Sequence, residues 1–142
     1  MEELKKVLEG RPVLYLATVE GYLPRVRPIN HYMVWNDRFY IAMGKHKEAY
    51  KQLLDNTNLE LTTALSDNDW IRIRGTVNFD TSPEAYAAAF AEMPDLKESF
   101  GENSGKRLAL IYLDHISAMV FDRQDNARLL GASRRSWSST SG

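Results

Sequence analysis

The segment from Ile29 to Met43 constrains the fold of this chain more than any other. Two runs rich in apolar and β-favouring residues, Ile29-Asn30-His31-Tyr32-Met33-Val34 and Phe39-Tyr40-Ile41-Ala42-Met43, flank the turn signal Asn36-Asp37 and spell an antiparallel hairpin. A turn centred there pairs positions that sum to about 73 under the antiparallel rule. Extended outward, that register sets Asn30 beside Met43, Arg27 opposite His46 and Arg25 opposite Glu48. It would gather two basic clusters, Arg25-Val26-Arg27-Pro28 and Gly44-Lys45-His46-Lys47, at the open end of the hairpin. The second cluster opens a helix-like stretch from Glu48 to Leu54, and helix amino ends offer free N–H groups and partial positive charge to anions. The expectation is a phosphate pocket; the plainer reading is a solvated strand edge carrying ordinary surface cations.

Net charge decides how local that device is. The 142 residues carry a formal charge of −1, so there is no global basic field of the kind nucleic-acid binders use. No apolar run approaches the roughly 18–20 residues that span a bilayer. The absence of cysteine removes disulfides, thiolate metal sites and cysteine nucleophiles. Three scattered histidines with no carboxylate at ligand spacing make no metal site. The acidic, amphipathic start Met1-Glu2-Glu3-Leu4-Lys5-Lys6 is unlike a signal peptide, and a cytoplasmic location is expected.

Along the chain, Leu4, Val7 and Leu8 mark a short helix over residues 2–9. Val13 to Val19 reads as a near-continuous apolar strand of the sort covered on both faces. Glu20-Gly21-Tyr22 turns it into the strand that bears Arg25 and Arg27. After the hairpin and the helix near 46–55, Leu59 to Leu65 alternates, and Ser66-Asp67-Asn68-Asp69 turns the chain. Trp70 to Phe79 then sets Ile71, Ile73, Val77 and Phe79 on one face, with Trp70, Arg72 and Arg74 on the other. Thr81-Ser82-Pro83-Glu84 announces a second helix, interrupted at Pro94. Leu108–Leu113 and Ile116–Phe121 are two closing strands around Asp114-His115, and His115 caps the turn between them. The pattern predicts a mainly β (α+β) domain over residues 1–122, a barrel of six to seven antiparallel strands with short flanking helices. Residues 123–142 read as a polar, partly disordered tail.

In the order and spacing of these elements, the chain resembles the FMN-binding split barrels related to pyridoxamine 5′-phosphate oxidase. The resemblance rests on Leu14-Tyr15-Leu16-Ala17-Thr18, Pro24-Arg25-Val26-Arg27-Pro28, Gly44-Lys45-His46-Lys47 and Trp70-Ile71-Arg72-Ile73-Arg74-Gly75. It implies FMN as cofactor, with Arg27 and Lys47 on its phosphate and Arg25, Lys45 and His46 as neighbours. It also sets Pro28, Ile29 and Asn30 along the flavin ring, close to Met43 and Gly44. The family's habit of binding flavin between two subunits implies a homodimer, with Trp70 or Arg72 contributed by the second chain. Arg134-Arg135-Ser136-Trp137 does not match the oxidase's substrate-binding segment, so vitamin B6 oxidation is not carried over.

The expected activity is an FMN-dependent oxidoreductase acting on a small organic substrate, with no nucleic acid or membrane partner. A non-catalytic flavin-binding or electron-storage protein shares the pocket. A relative that takes haem or a deazaflavin is a third reading, with His31 or His46 as axial ligand for haem. Trp70 with Arg72 and Arg74 suits an interface. The Tyr86, Phe90 and Met93 stripe is packing. Tyr32, Trp35 and Tyr40 serve either as cavity wall or as core.

Overall fold

The structure, a computed structural model, describes residues 1–66, 68–101 and 105–131. Its scaffold begins with α1 (Glu2–Val7), then β1 (Leu14–Glu20), β2 (Leu23–Ile29), β3 (Tyr32–Trp35) and β4 (Arg38–Gly44). Next come α2 (Glu48–Asp55), β5 (Asn58–Ala64), β6 (Trp70–Phe79), α3 (Pro83–Glu92) and α4 (Leu96–Phe100). The chain returns through β7 (Leu108–Phe121) and β8 (Ala127–Leu129). Every pairing is antiparallel, in the order β2-β1-β5-β6-β7-β4-β3, with β8 added beside β7. Eight strands thus stand among the described residues against the six or seven expected.

The hairpin has the expected register. Tyr32 faces Ile41 and Trp35 faces Arg38 across a turn in which Asn36 and Asp37 both take positive φ, 55° and 58°. That is the two-residue geometry whose twist matches the strands, and Asn and Asp tolerate it. The register persists to His31, whose carbonyl accepts the Ala42 N–H at 2.9 Å. There it ends. β2 turns away and pairs with β1, so Arg27 lies across from Leu16 and Arg25 from Thr18, not from His46 and Glu48. The two-residue turn at Gly21-Tyr22 folds β2 back onto β1 along its whole length, while β4 runs on to Gly44 paired with β7 along its opposite edge.

Two cores flank the β4–β7 wall. Phe39 and Ile41 of β4, with Leu16, Leu61, Ile73 and Ile111, fill the barrel interior. Tyr40 and Ala42, with Leu108, Leu110 and Met33, face outward against Ala85 and Ala89 of α3, Met93 just after it and Leu96 of α4. The strand covered on both faces is therefore β4, whose apolar run is unbroken from Phe39 to Met43. β1 departs from that expectation. Leu14, Leu16 and Thr18 point inward, while Tyr15 on the other face is 47% exposed.

The closing strands form one continuous β7 rather than two. His115 adopts φ 52° at a bend, and the register with β6 slips between Arg74 and Thr76. Gly75 permits the slip, because a Cβ there would meet the Asp114 carbonyl at 2.8 Å. The tail boundary also moves. Residues 127–129 add a strand, Leu130 is buried, and Arg128 pairs with Glu3 of α1 at 2.6 Å. Arg134, Arg135 and Trp137 lie outside the described residues, as does the rest of 132–142.

α3 starts as its sequence asks. The Ser82 hydroxyl accepts the Ala85 N–H at 3.2 Å with Pro83 in the first turn, and Asp80 in turn receives the Ser82 N–H at 2.9 Å. The fully buried Tyr40 donates its hydroxyl to Asp80 at 2.6 Å, which ties the outer core to this cap. Tyr40→Phe is expected to cost about 1.5–3 kcal/mol, the range for a hydrogen bond to a charged acceptor, read from urea unfolding. Tyr32, Tyr40 and Met93 are buried, with Trp35, Tyr86 and Phe90 packed against the same cores, so these aromatic stripes are core.

Candidate functional site

The two ends of the sheet, β2 and β3, meet at a seam crossed by Asn30-His31. Arg11 holds this seam, donating to the Asn30 carbonyl at 3.4 Å and the Tyr32 carbonyl at 2.9 Å. Beside it lies a cavity of about 540 Å³, within the roughly 300–1,000 Å³ of small-molecule sites. One wall is Arg27, Pro28, Ile29, Asn30 and His31; the facing wall is Ala42, Met43, Gly44, His46, Lys47, Glu48 and Ala49. Ser99 and Phe100 of α4, with Lys106, complete the lining. Cations outnumber carboxylates here, since Glu48 is the one acid among the lining residues.

The basic clusters do converge, but through α2 rather than through a long hairpin ladder. α2 packs on β1 with Ala49, Gln52 and Leu53 buried, which brings its amino end to the cavity. No side chain caps that end, so its first-turn N–H groups retain their capacity for an anion. Lys47 stands at the cap position, and its ammonium makes no ion pair or hydrogen bond with the described residues.

Arg27 is the best-held group of the site. Its Nη1 donates to the Leu16 carbonyl at 3.1 Å and to Thr18 Oγ1 at 2.9 Å, and its Nη2 donates to Gln52 Oε1 at 2.7 Å. A guanidinium has five N–H donors, so the Nε–H and one Nη2–H remain, and these share one edge of the fork. Burial pulls the Arg27 pKa downward, although an arginine stays cationic at neutral pH. Sequence reasoning missed Thr18 and Gln52. The signal for Gln52 was present: a polar residue sits in the Ala49-Gln52-Leu53 stripe where an apolar one belongs.

Other candidates are placed differently. Arg25, on the same face of β2 as Arg27 but nearer the Gly21 turn, pairs with Glu20 at 2.7 Å outside the cavity lining, and Lys45 does not line the cavity. His46 turns its ring back over Gly44, where a Cβ would approach it to within 3 Å, and tilts against Phe100 with centroids 6.5 Å apart. Trp70 and Arg72 lie away from the cavity, on the outer sheet face. Trp70 stacks on Phe121 at 4.4 Å, and the Arg72 guanidinium sits 4.9 Å from the Phe121 ring. Among the described residues, no group of three His, Asp or Glu side chains is arranged to hold a metal, and no helix is long and apolar enough to cross a membrane.

His31 ties its wall of the cavity to α4, its Nε2 lying 2.8 Å from Asp95 Oδ2 at the helix start. That hydrogen bond holds the Asp95 carboxyl below its ordinary value of 3.8. Its stabilising effect is therefore present above the unfolded value and lost as pH falls through the lower folded one. Asp95→Asn is expected to flatten this part of the acid limb in thermal unfolding between about pH 5 and about pH 2. An unchanged acid limb would contradict the assignment.

The strand order, the paired cores and the cavity at the seam define a split-barrel protein. The chain belongs to the pyridoxamine 5′-phosphate oxidase family, whose model matches residues 1–114. Among solved structures it is similar to a NimC/NimA family protein from Clostridium acetobutylicum, with 27% identity and a TM-score of 0.81 over 91% of this chain and 90% of that one. A pyridoxamine 5′-phosphate oxidase-related, FMN-binding protein from Nostoc punctiforme shares the fold at 13% identity and TM-score 0.59, covering 92% and 95% of the two chains. So does the haem storage protein HutZ from Vibrio cholerae, at 11% identity and TM-score 0.61, covering 81% and 91%. No curated protein matches the sequence.

Proposed function

We propose that this protein binds FMN at the seam cavity and acts as an oxidoreductase on a small organic substrate in the cytoplasm. One observation carries the reading: the open edge of the Arg27 guanidinium, the Lys47 ammonium and the uncapped start of α2 serve a single cavity. Together they suit a phosphate dianion, which needs several convergent donors in fixed positions. Pro28, Ile29 and Asn30 would lie along the flavin ring, with Met43 and Gly44 opposite. Bound flavin supplies the two-electron chemistry, and the chain supplies position and charge.

The second subunit belongs to this proposal. Pro28 at the cavity edge is the strand partner of the exposed Tyr15, and Ala17 next along β1 is paired with Val26, which is 68% exposed. Thr62 and Arg72 continue the same face across β5 and β6. An apolar β1 face that lacks a cover among the described residues is supplied with one by a homodimer, with Trp70 and Arg72 at the contact.

The test is the visible spectrum of the purified protein, before and after reconstitution with FMN, followed by turnover with NADH or NADPH and a panel of acceptors. A yellow protein that turns over supports the proposal; a yellow protein with no turnover supports flavin storage. A Soret band supports haem, a reading favoured by His31 and His46 lining one cavity. A protein that stays colourless with FMN contradicts all of these flavin readings.

A further inference from the structure

We infer that Gln52, acting with Thr18, positions Arg27 so that the site selects a phosphorylated ligand over its unphosphorylated form. The inference rests on the reading that Arg27 meets the ligand phosphate. Gln52 and Thr18 are 6% and 2% exposed, among the few polar side chains buried in the chain. Burying such groups is costly unless their hydrogen bonds are made, and here they are made to each other and to Arg27. The Thr18 hydroxyl donates to Gln52 Oε1 at 2.5 Å and accepts from Arg27 Nη1 at 2.9 Å, while the same Gln52 oxygen accepts from Arg27 Nη2 at 2.7 Å. Three groups therefore close a ring of directional bonds, and the Leu16 carbonyl fixes the remaining Nη1 donor.

The ring has two consequences. It removes the rotamer freedom that a long arginine would otherwise lose on binding, so the open Nε–Nη2 edge is set before the ligand arrives. It also ties that edge to α2, because Gln52 lies one helical turn after Glu48, the first residue of the helix. The guanidinium and the first-turn amides thus move as one unit. Gln52 and Thr18 contribute through Arg27 rather than by touching the phosphate, so they are positioning residues.

The experiment compares FMN with riboflavin, which differ only in the phosphate, by fluorescence titration of the full chain stripped of flavin. Gln52→Leu and Thr18→Val are each expected to weaken FMN by about tenfold and riboflavin by less than about twofold, from the loss of a charge-assisted arrangement. Thr18→Ser, which keeps the hydroxyl, restores FMN selectivity. In an Arg27→Ala background, Gln52→Leu adds no further selective loss. Thr18→Val serves alone if the Gln52 variant does not fold, as judged by its thermal unfolding. A selective loss in Arg27→Ala with none in Gln52→Leu or Thr18→Val overturns this inference and leaves the phosphate reading standing. Equal losses of both ligands in Arg27→Ala overturn the phosphate reading, and the inference with it.

Discussion

Replacing Arg27 and Lys47 together by alanine is expected to weaken FMN binding by about 100-fold or more while riboflavin binding changes by only a few-fold. Each hydrogen bond to a charged group contributes about 1.5–3 kcal/mol, which corresponds to a factor of about 10 to 150 in affinity for each side chain removed. In the proposed site the two side chains would reach the phosphate from different elements, Arg27 from β2 and Lys47 from the cap of α2, so their losses should approach additivity unless the phosphate shifts. Riboflavin is the control for folding and for the ring site, since it lacks the group these cations serve. A folding effect is also separable on structural grounds. Lys47 is exposed and its ammonium is unpaired among the described residues, whereas Arg27→Ala leaves Gln52 and Thr18 bonded to each other. Equal losses for the two ligands would mean that the phosphate is held elsewhere.

The second large effect concerns assembly. Placing charge on the exposed sheet face with Tyr15→Glu and Val26→Glu is expected to convert the proposed dimer into a monomer, so that light scattering after gel filtration reports half the mass of the parent protein. Interface anchors contribute about 2 kcal/mol or more each, and a buried unpaired carboxylate adds a further penalty. Both side chains are exposed in the single chain, at 47% and 68%, so the fold itself has little reason to respond. Flavin retention should fall in parallel, because Pro28 lies at once on the cavity edge and beside Tyr15. A parent protein that already runs as a monomer and holds FMN would contradict the dimer proposal while leaving the phosphate site intact.

What could be read from the sequence followed a physical divide. The Tyr32–Ile41 hairpin was legible because its turn is a local event, set by two residues that accept positive φ. The start of α3 was legible for the same reason, through Ser82 and Pro83. Extending the hairpin register past His31 failed because β2 is already paired along its length with β1, its neighbour across the Gly21-Tyr22 turn, so the chain changes partner at Asn30-His31. The apolar stretch of β1 suggested two covered faces, yet the same signal in Phe39–Met43 belongs to the strand with a core on each side. Only the position of α3 and α4 distinguishes them, and that position is not written locally. β7 kept its continuity through Asp114-His115 because a bend and a glycine bulge opposite can absorb what reads as a turn.

The candidate site divides in the same way. Arg27, Asn30, Met43, Gly44 and Lys47 were found from two short basic clusters and do line one cavity, together with His31. Arg25 and Lys45 could not be separated from them by pattern alone: Arg25 shares the face of Arg27 but lies further along β2 and pairs with Glu20, and the turn before α2 decides where Lys45 goes. Thr18 and Gln52 lay hidden because their role depends on a helix and a strand more than thirty residues apart meeting around one guanidinium. His31 drew interest as a possible haem ligand, and its contact with Asp95 emerges only when α4 is folded across the mouth.

A crystal structure of the protein with FMN tests the central claim most directly. The account predicts the phosphate within about 2.7–3.2 Å of Arg27 Nε and Nη2 and of the first-turn amides of α2, hydrogen-bond distances for such donors. A phosphate bound instead at the Ser99–Lys106 end of the cavity, or outside it in the groove beside Arg74 and His115, would contradict it.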